Sequence, residues 1–285
     1  MKIYVPQKAS NGIGGGWTFT RNLANALGGK VDFVSNFIHS DIYFIPGCTL
    51  AQRDEAKKAK EKGKKVVLRV DNVPRNSRNR NTSTSRLYDF AQLADVVIYQ
   101  SNWAKDWVKP FIKRDGVVIL NGADEKIFKP EGDKIEKQGD PQWLYSRHNR
   151  DETKRWEETW YYFQKAFYLN PNVHLWVAGQ FSDRNREYNF DFFGGAEKRY
   201  KYWGIVISRE EMAKLYRSAD FLYVPYFMDA CSNTVVEARL SGLKVMFNEE
   251  QGGGTKEIME ASLEELTLGS MGEKYYKVFQ EVCTQ

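Results

Sequence analysis

The chain has 285 residues, 42% hydrophobic and 14% aromatic, enough for one large or two ordinary packed domains. Its formal charge of +5 is too small for this length to indicate nucleic acid, though it would help attract phosphorylated ligands or an anionic membrane face. No run of about 18 apolar residues occurs and the N terminus enters a strand directly, so neither a membrane span nor a signal peptide is expected, and the scattered Cys48, Cys231 and Cys283 point to a reducing, cytoplasmic setting.

In chain order, strands are expected near 2–6, 31–34, 42–45, 65–70, 95–99 and 116–120, with helices near 17–27, 50–62, 84–93 and 103–109 between several of them. That rhythm implies a parallel sheet with helical crossovers. The first crossover opens with NGIGGGWTF (11–19), a glycine loop between strand and helix. Gly12, Gly14 and Asp32 resemble a dinucleotide loop, but Trp17 fills the third glycine position, and no Gly-Lys-Ser/Thr follows, so a P-loop is excluded. A structural turn and a phosphate or sugar contact stay open, with a dinucleotide loop behind them. PRNSRNRNTSTSR (74–86) is basic and hydroxyl-rich without an apolar period. It reads as a mobile solvated loop, an anion or acceptor contact or, more remotely, a nucleic-acid contact.

The breaker-rich stretch 129–141 reads as a linker. A second series follows: strands at 142–147, 173–179, 204–207, 220–225 and 243–247, with helices near 155–169, 209–217 and 233–241. In the stretch DACSNTVVEARLSG (229–242), Asp229 stands ahead of a helix that Ser232 could cap, and Glu237 lies within it. Free amides at a helix start suit an anion, and two carboxylates can accept hydrogen bonds from sugar hydroxyls, which together meet the demand of a nucleotide sugar. Taken singly, Glu237 reads as a solvent-facing helix residue. YSRHNRDETKRW (145–156) puts Arg147 and Lys154 where a strand gives way to a helix, as diphosphate ligands or as solvated surface cations. His39, His148 and His174 are too scattered for a catalytic metal.

Three segments carry a family resemblance. VVILNGADEKIFKP (117–130) resembles an Asn-Gly-Val-Asp…Phe-x-Pro hinge signature, YSRHNRDETKRW a Gly-Arg…Lys segment, and Asp229 to Glu237 a Glu-x7-Glu motif. Together they resemble the retaining glycosyltransferases of the GT-B fold, in the large family 4 grouping that uses nucleotide-diphospho sugars. RVDNVPRN (69–76) and ADVVIYQSNWAKDW (94–107) resemble a polysaccharide-building or virus-associated subgroup.

The resemblance implies two Rossmann-like domains with parallel sheets facing a central cleft. Residues 1–130 would form the acceptor side and 131–285 the nucleotide-sugar-binding domain, with the final helix able to cross back to the first. It further implies that Arg147 and Lys154 hold the diphosphate, that Ser232, Asn233 and Thr234 face sugar and phosphate, that Glu237 binds the ribose, and that Asp229 touches the transferred hexose. Gly14, Gly15 and Gly16 would pass close to the donor, and Asp71, Arg75 and Arg78 would lie on the acceptor side. The sequence departs from the family pattern at Asp229, usually Glu, at Ser146, usually Gly, and at Asp71, where many relatives have His. The longer spacing from Arg147 to Lys154 leaves Arg155 as a rival phosphate contact. The implied activity is metal-independent, cofactor-free hexosyl transfer to a saccharide or lipid-linked acceptor, with peripheral contact with an anionic membrane compatible with the charge. A nucleotide-sugar epimerase and a non-catalytic sugar or nucleic-acid binding module are the alternatives; oligomeric state, base and sugar are not legible.

Overall fold

The computed structural model describes residues 1–6, 15–71, 73, 81–148, 152–179, 199–206 and 208–284. The N-terminal elements are β1 (Lys2–Tyr4), α1 (Gly15–Leu27), β2 (Asp32–Val34), β3 (Ile42–Ile45), α2 (Arg53–Glu61), β4 (Lys65–Val70), α3 (Asn81–Leu93), β5 (Val96–Tyr99), α4 (Asn102–Ile112) and β6 (Val117–Val118). There follow β7 (Gln142–His148), α5 (Trp156–Leu169), β8 (His174–Gly179), β9 (Tyr200–Gly204), α6 (Arg209–Ser218), β10 (Phe221–Val224), α7 (Asn233–Leu240), β11 (Lys244–Phe247), α8 (Thr255–Glu260) and α9 (Leu268–Thr284).

The chain divides into two compact units. The first comprises Met1–Ala123, Asp229–Asn233 and Lys256–Gln285, the second Asp124–Met228 and Thr234–Thr255. The first unit holds a parallel six-stranded sheet in the order β2-β1-β3-β4-β5-β6. Its central strands are continuous apolar runs, as burial on both faces of a parallel sheet requires: all four residues of β3 are buried. Its core joins Ile3, Phe19, Leu23, Phe44, Val67 and Ile98 to α9, whose Leu268, Met271, Tyr275, Val278, Phe279 and Val282 recur at helical spacing. Gly272 allows the close approach of α9 to α1, since a Cβ there would stand 2.6 Å from the Ala26 Cβ.

The second unit holds a parallel five-stranded sheet in the order β11-β10-β7-β8-β9. Leu144, Tyr145, Leu175, Trp176, Val177, Leu222 and Val224 fill its interior. Chain order reverses between β7 and β10 here, and between β1 and β3 in the first unit. At such a switch point, successive crossovers leave in opposite directions and open a crevice outside the carboxyl ends of the two strands.

Several expected boundaries move. The first helix begins at Gly15 rather than 17, so Gly15 and Gly16 lie in its first turn, where the Thr20 hydroxyl donates to the Gly16 carbonyl at 2.9 Å. Helix α3 begins at Asn81, so residues 81–86 of the polar stretch are helical, not loop. The strand expected at 204–207 runs instead from Tyr200 to Gly204, because Gly204 has φ +72° and ends the extended run. Helix α8 was not anticipated, and the final helix, expected without bounds, is α9. Gly14, Arg75, Arg78 and Arg80 lie outside the described residues. No helix among the described residues is long and apolar enough to cross a membrane.

Candidate functional site

At the switch point of the second unit, Arg147 is the last residue but one of β7, held at φ 68°. A single helical turn, Glu152–Lys154, then leads to α5. Arg147 and Lys154 both lie against the Tyr226 ring: its centre is 5.5 Å from the Arg147 guanidinium carbon and 4.7 Å from Lys154 Nζ. Tyr226 follows β10, and its hydroxyl donates to the Ser146 carbonyl at 2.5 Å, tying the ends of β10 and β7 together. The Tyr145 hydroxyl donates to the Lys154 carbonyl at 2.9 Å, which fixes the turn from below. Lys154 is only 3% exposed. Burying an ammonium is costly unless other groups or a ligand solvate it.

Arg155 is turned elsewhere. Its guanidinium pairs with Glu158 at 2.9 Å, bonds the Gln251 side chain and lies 4.9 Å from the centre of the Phe227 ring. Of the two candidates after β7, Lys154 is the one that joins Arg147.

Glu237 is half-buried on α7, with the Tyr216 hydroxyl donating to its Oε2 at 3.2 Å. Burial pushes its carboxyl up to about 7, against the opposing pull of Arg209, the Tyr216 hydrogen bond and Arg147. Glu237 therefore feels the field of the Arg147 site, and it is not the solvent-facing helix residue that its type alone suggests. Arg209, the first residue of α6, keeps Nε and Nη2 buried without hydrogen-bond partners.

In the first unit, the loop 229–233 is docked by residues that follow β5 and β6. Ser101 Oγ donates to the Ala230 carbonyl at 2.6 Å, and Asn121 Nδ2 reaches the Cys231 carbonyl at 3.0 Å and Asn233 Oδ1 at 2.8 Å. The Asn121 backbone N–H also points at Cys231 Sγ, 3.3 Å away. Burial pushes the Cys231 thiol up to about 12, so it stays protonated at neutral pH. Asp229, Ser232 and Thr234 are buried and Asn233 is half-buried.

Asp71 follows β4 and lies against the segment after β3. It accepts from the Cys48 N–H at 3.3 Å, and a Cβ on Gly47 would collide with its carboxylate. Gly16 faces the same segment, since a Cβ there would stand 3.0 Å from Leu50 Cδ1. Asp71 and Gly16 are thus both applied to residues 47–50, beside the switch point of the first sheet. Among the described residues, no group of three or more His, Cys, Asp or Glu is placed to hold a metal ion.

No family model matches the chain, and no curated protein matches it in sequence. Solved structures do match. HepE of Anabaena, in complex with UDP-glucose, is 11% identical with a TM-score of 0.69, covering 98% of this chain and 99% of that one. Sucrose-phosphate synthase of Thermosynechococcus elongatus is 13% identical with a TM-score of 0.64, covering 100% and 96%. The pneumococcal O-GlcNAc transferase GtfA, in complex with UDP and GlcNAc, is 12% identical with a TM-score of 0.64, covering 86% of this chain and 57% of that one. The chain has a GT-B fold. At this identity the likeness is one of architecture, and the GT-B fold carries chemistry only through its side chains.

Sequence reasoning did not single out Tyr226, Tyr216, Arg209, Arg69, Gln100 or Ser101. Arg69 left a signal, as the one charge inside the apolar run Val66 to Val70. The aromatic residues left none, because a tyrosine after a strand reads as core.

Proposed function

We propose that this protein is a glycosyltransferase that moves a hexose from a nucleotide-diphospho sugar to a hydroxyl acceptor. The observation that carries the reading is that two cations, Arg147 and Lys154, both lie within 5.5 Å of the Tyr226 ring centre at the switch point between β7 and β10. A buried ammonium and a guanidinium held against one ring offer charge and hydrogen-bond donors that suit a diphosphate. The departing nucleotide diphosphate gains charge as the glycosidic bond breaks, and fixed cations stabilise that charge without reorganising. On this reading no metal is required, because Arg147 and Lys154 neutralise the leaving group, with Lys154 rather than Arg155 as the second contact.

The finer assignments are those that the family resemblance implies. Glu237 accepts hydrogen bonds from the ribose, the amides at the start of α7 face the phosphate, and Asp229 orients the transferred hexose. Retention of configuration, by attack on the face from which the diphosphate leaves, suits a site in which positioning and charge stabilisation do the catalysis. The structural neighbours solved in complex with UDP-glucose and with UDP and GlcNAc make uridine diphosphate the first nucleotide to try.

The test is a panel of nucleotide diphosphates and their sugars in a thermal-shift assay, followed by nucleotide release with and without acceptor saccharides. A ligand at 100 times its dissociation constant should stabilise the fold by about 2.7 kcal/mol. Failure of every nucleotide sugar to stabilise the chain would overturn the reading. Nucleotide-sugar turnover that ignores acceptors would favour an epimerase.

A further inference from the structure

Strand β4 carries a buried guanidinium that the proposed chemistry does not use. Arg69 is 3% exposed, with its guanidinium carbon 3.6 Å from the centre of the Phe19 ring. Its hydrogen bonds go to neutral acceptors: the Pro46 carbonyl at 2.9 Å, Gln100 Oε1 at 2.7 Å and Asn121 Oδ1 at 3.0 Å. Its Nε makes none. Holding an arginine inside a sheet against neutral partners costs stability that an apolar residue would not.

Its partners lead to the acidic loop. Gln100 Nε2 donates to the Val70 carbonyl at 2.9 Å, which locks its Oε1 toward Arg69. Asn121 accepts from Arg69 through Oδ1, and this orients its Nδ2 toward Gln100 Oε1, the Cys231 carbonyl and Asn233 Oδ1. An Asn amide turned the other way would present its oxygen to Gln100 Oε1 and the Cys231 carbonyl, both fixed acceptors, and lose those bonds. Arg69, which has no acceptor atom, therefore dictates which end of Asn121 faces residues 231–233.

We propose that Arg69 is a positioning residue: through the forced orientation of Asn121 it fixes the loop 229–233, and so presents Asp229 and the start of α7 to the sugar donor. The proposal deepens the reading above and rests on it for the donor, but its structural half stands alone. The side chains of Ser101 and Asn121 both hold segment 229–233. Without the Asn121 side chain the loop loses the two hydrogen bonds from Nδ2, while the Ser101 bond and the contact of the residue-121 N–H with Cys231 Sγ stay.

The experiment compares the native chain with Asn121→Ala, Arg69→Lys and Arg69→Met. Amide exchange over 229–233, without ligand, is read beside exchange over β3 and α9, and UDP-glucose is the binding and turnover probe. In Asn121→Ala the loop should exchange about tenfold faster while β3 and α9 keep their protection, as loss of one or two hydrogen bonds allows. Arg69→Lys, which keeps the charge but not the fork, should loosen the loop less than Arg69→Met. UDP-glucose KM should rise about tenfold in Asn121→Ala, with UDP affinity less affected. Unchanged loop exchange in Asn121→Ala, or loosening spread evenly over the unit in all three variants, would overturn the positioning role. A loosened loop with unaltered UDP-glucose KM would overturn its link to the donor. If native chain binds neither UDP-glucose nor UDP, the donor reading fails, while loop exchange still decides the positioning claim.

Discussion

Glu237 offers a test in which binding, proton count and stability must all move together. Burial pushes its carboxyl up to about 7 in the unliganded chain, with Arg209, the Tyr216 hydroxyl at 3.2 Å and Arg147 restraining the rise. A ribose diol donates two hydrogen bonds, which the carboxylate accepts better than the acid. UDP-glucose should therefore bind more tightly as pH rises. With a midpoint near 7, the ionised fraction climbs from roughly a tenth at pH 6 to roughly nine tenths at pH 8, so Kd should fall about tenfold. The intact nucleotide sugar is the right ligand, since its diphosphate has no proton to gain in this range. Calorimetry at pH 7 in buffers of different ionisation heat should show release of about half a proton on binding. Glu237→Gln should abolish both the slope and the proton release, and at pH 8 should weaken UDP-glucose by about 1.5 to 3 kcal/mol. Stability must move the other way. The folded carboxyl titrates above its unfolded value, so ionising it costs the fold, a cost complete above pH 7 and absent below about 4.5. Glu237→Gln should therefore be the more stable protein at pH 8, by no more than about 3 kcal/mol and less where solvent screens the site. A native pH profile that is flat, or a Gln variant that keeps the native slope, would refute this account of Glu237.

Asp229→Asn should spare bare UDP affinity yet lower turnover of the sugar donor, as calorimetry beside steady-state rates would reveal; equal loss of UDP affinity with Glu237→Gln would sink that division. Tyr226→Phe keeps the ring under Arg147 and Lys154 and should hold UDP affinity within about threefold, whereas Tyr226→Leu should lose about tenfold or more in titrations. His174 is buried, and its imidazole is pulled down to about 4 by that burial and by Arg199 and Lys201. Since its folded value lies below the unfolded one, the stability that it contributes is present above about pH 6.5 and lost as pH falls toward 4. Denaturant titrations should show a loss of at most about 3 kcal/mol that His174→Gln removes. Gly272→Val should cost at least about 1 to 3 kcal/mol, read as a lower Tm, because its Cβ would stand 2.6 Å from Ala26 Cβ and 3.2 Å from the Ala26 carbonyl oxygen.

Much of the architecture is legible along the chain because parallel α/β units write themselves locally. Buried strands such as Val66 to Val70 appear as apolar runs, and Ser101 and Ser208 cap the helices they precede, accepting from the Ala104 and Glu211 N–H groups at 3.0 and 3.3 Å. Boundaries blur where composition is neutral: Gly15 and Gly16 extend the first helix because a first turn tolerates glycine, and Tyr200 to Gly204 forms a strand from residues whose alternation is weak. The last helix was expected without bounds, although Leu268, Met271, Tyr275, Phe279 and Val282 keep a clear period.

The sequence by itself determined the fold class and which cations and acids stand at strand ends, since both follow from order along one chain. Only the tertiary structure decided which of them meet. Lys154 and Arg155 are neighbours in sequence, but Arg155 turns to Glu158, Gln251 and Phe227 while Lys154 joins Arg147 on Tyr226, 72 residues further along. Glu237 acquires its raised titration from burial and from Arg209, Tyr216 and Arg147, which lie 28, 21 and 90 residues before it. Desolvation and Coulomb fields depend on distance through space, and in this fold the crossovers between strands set that distance.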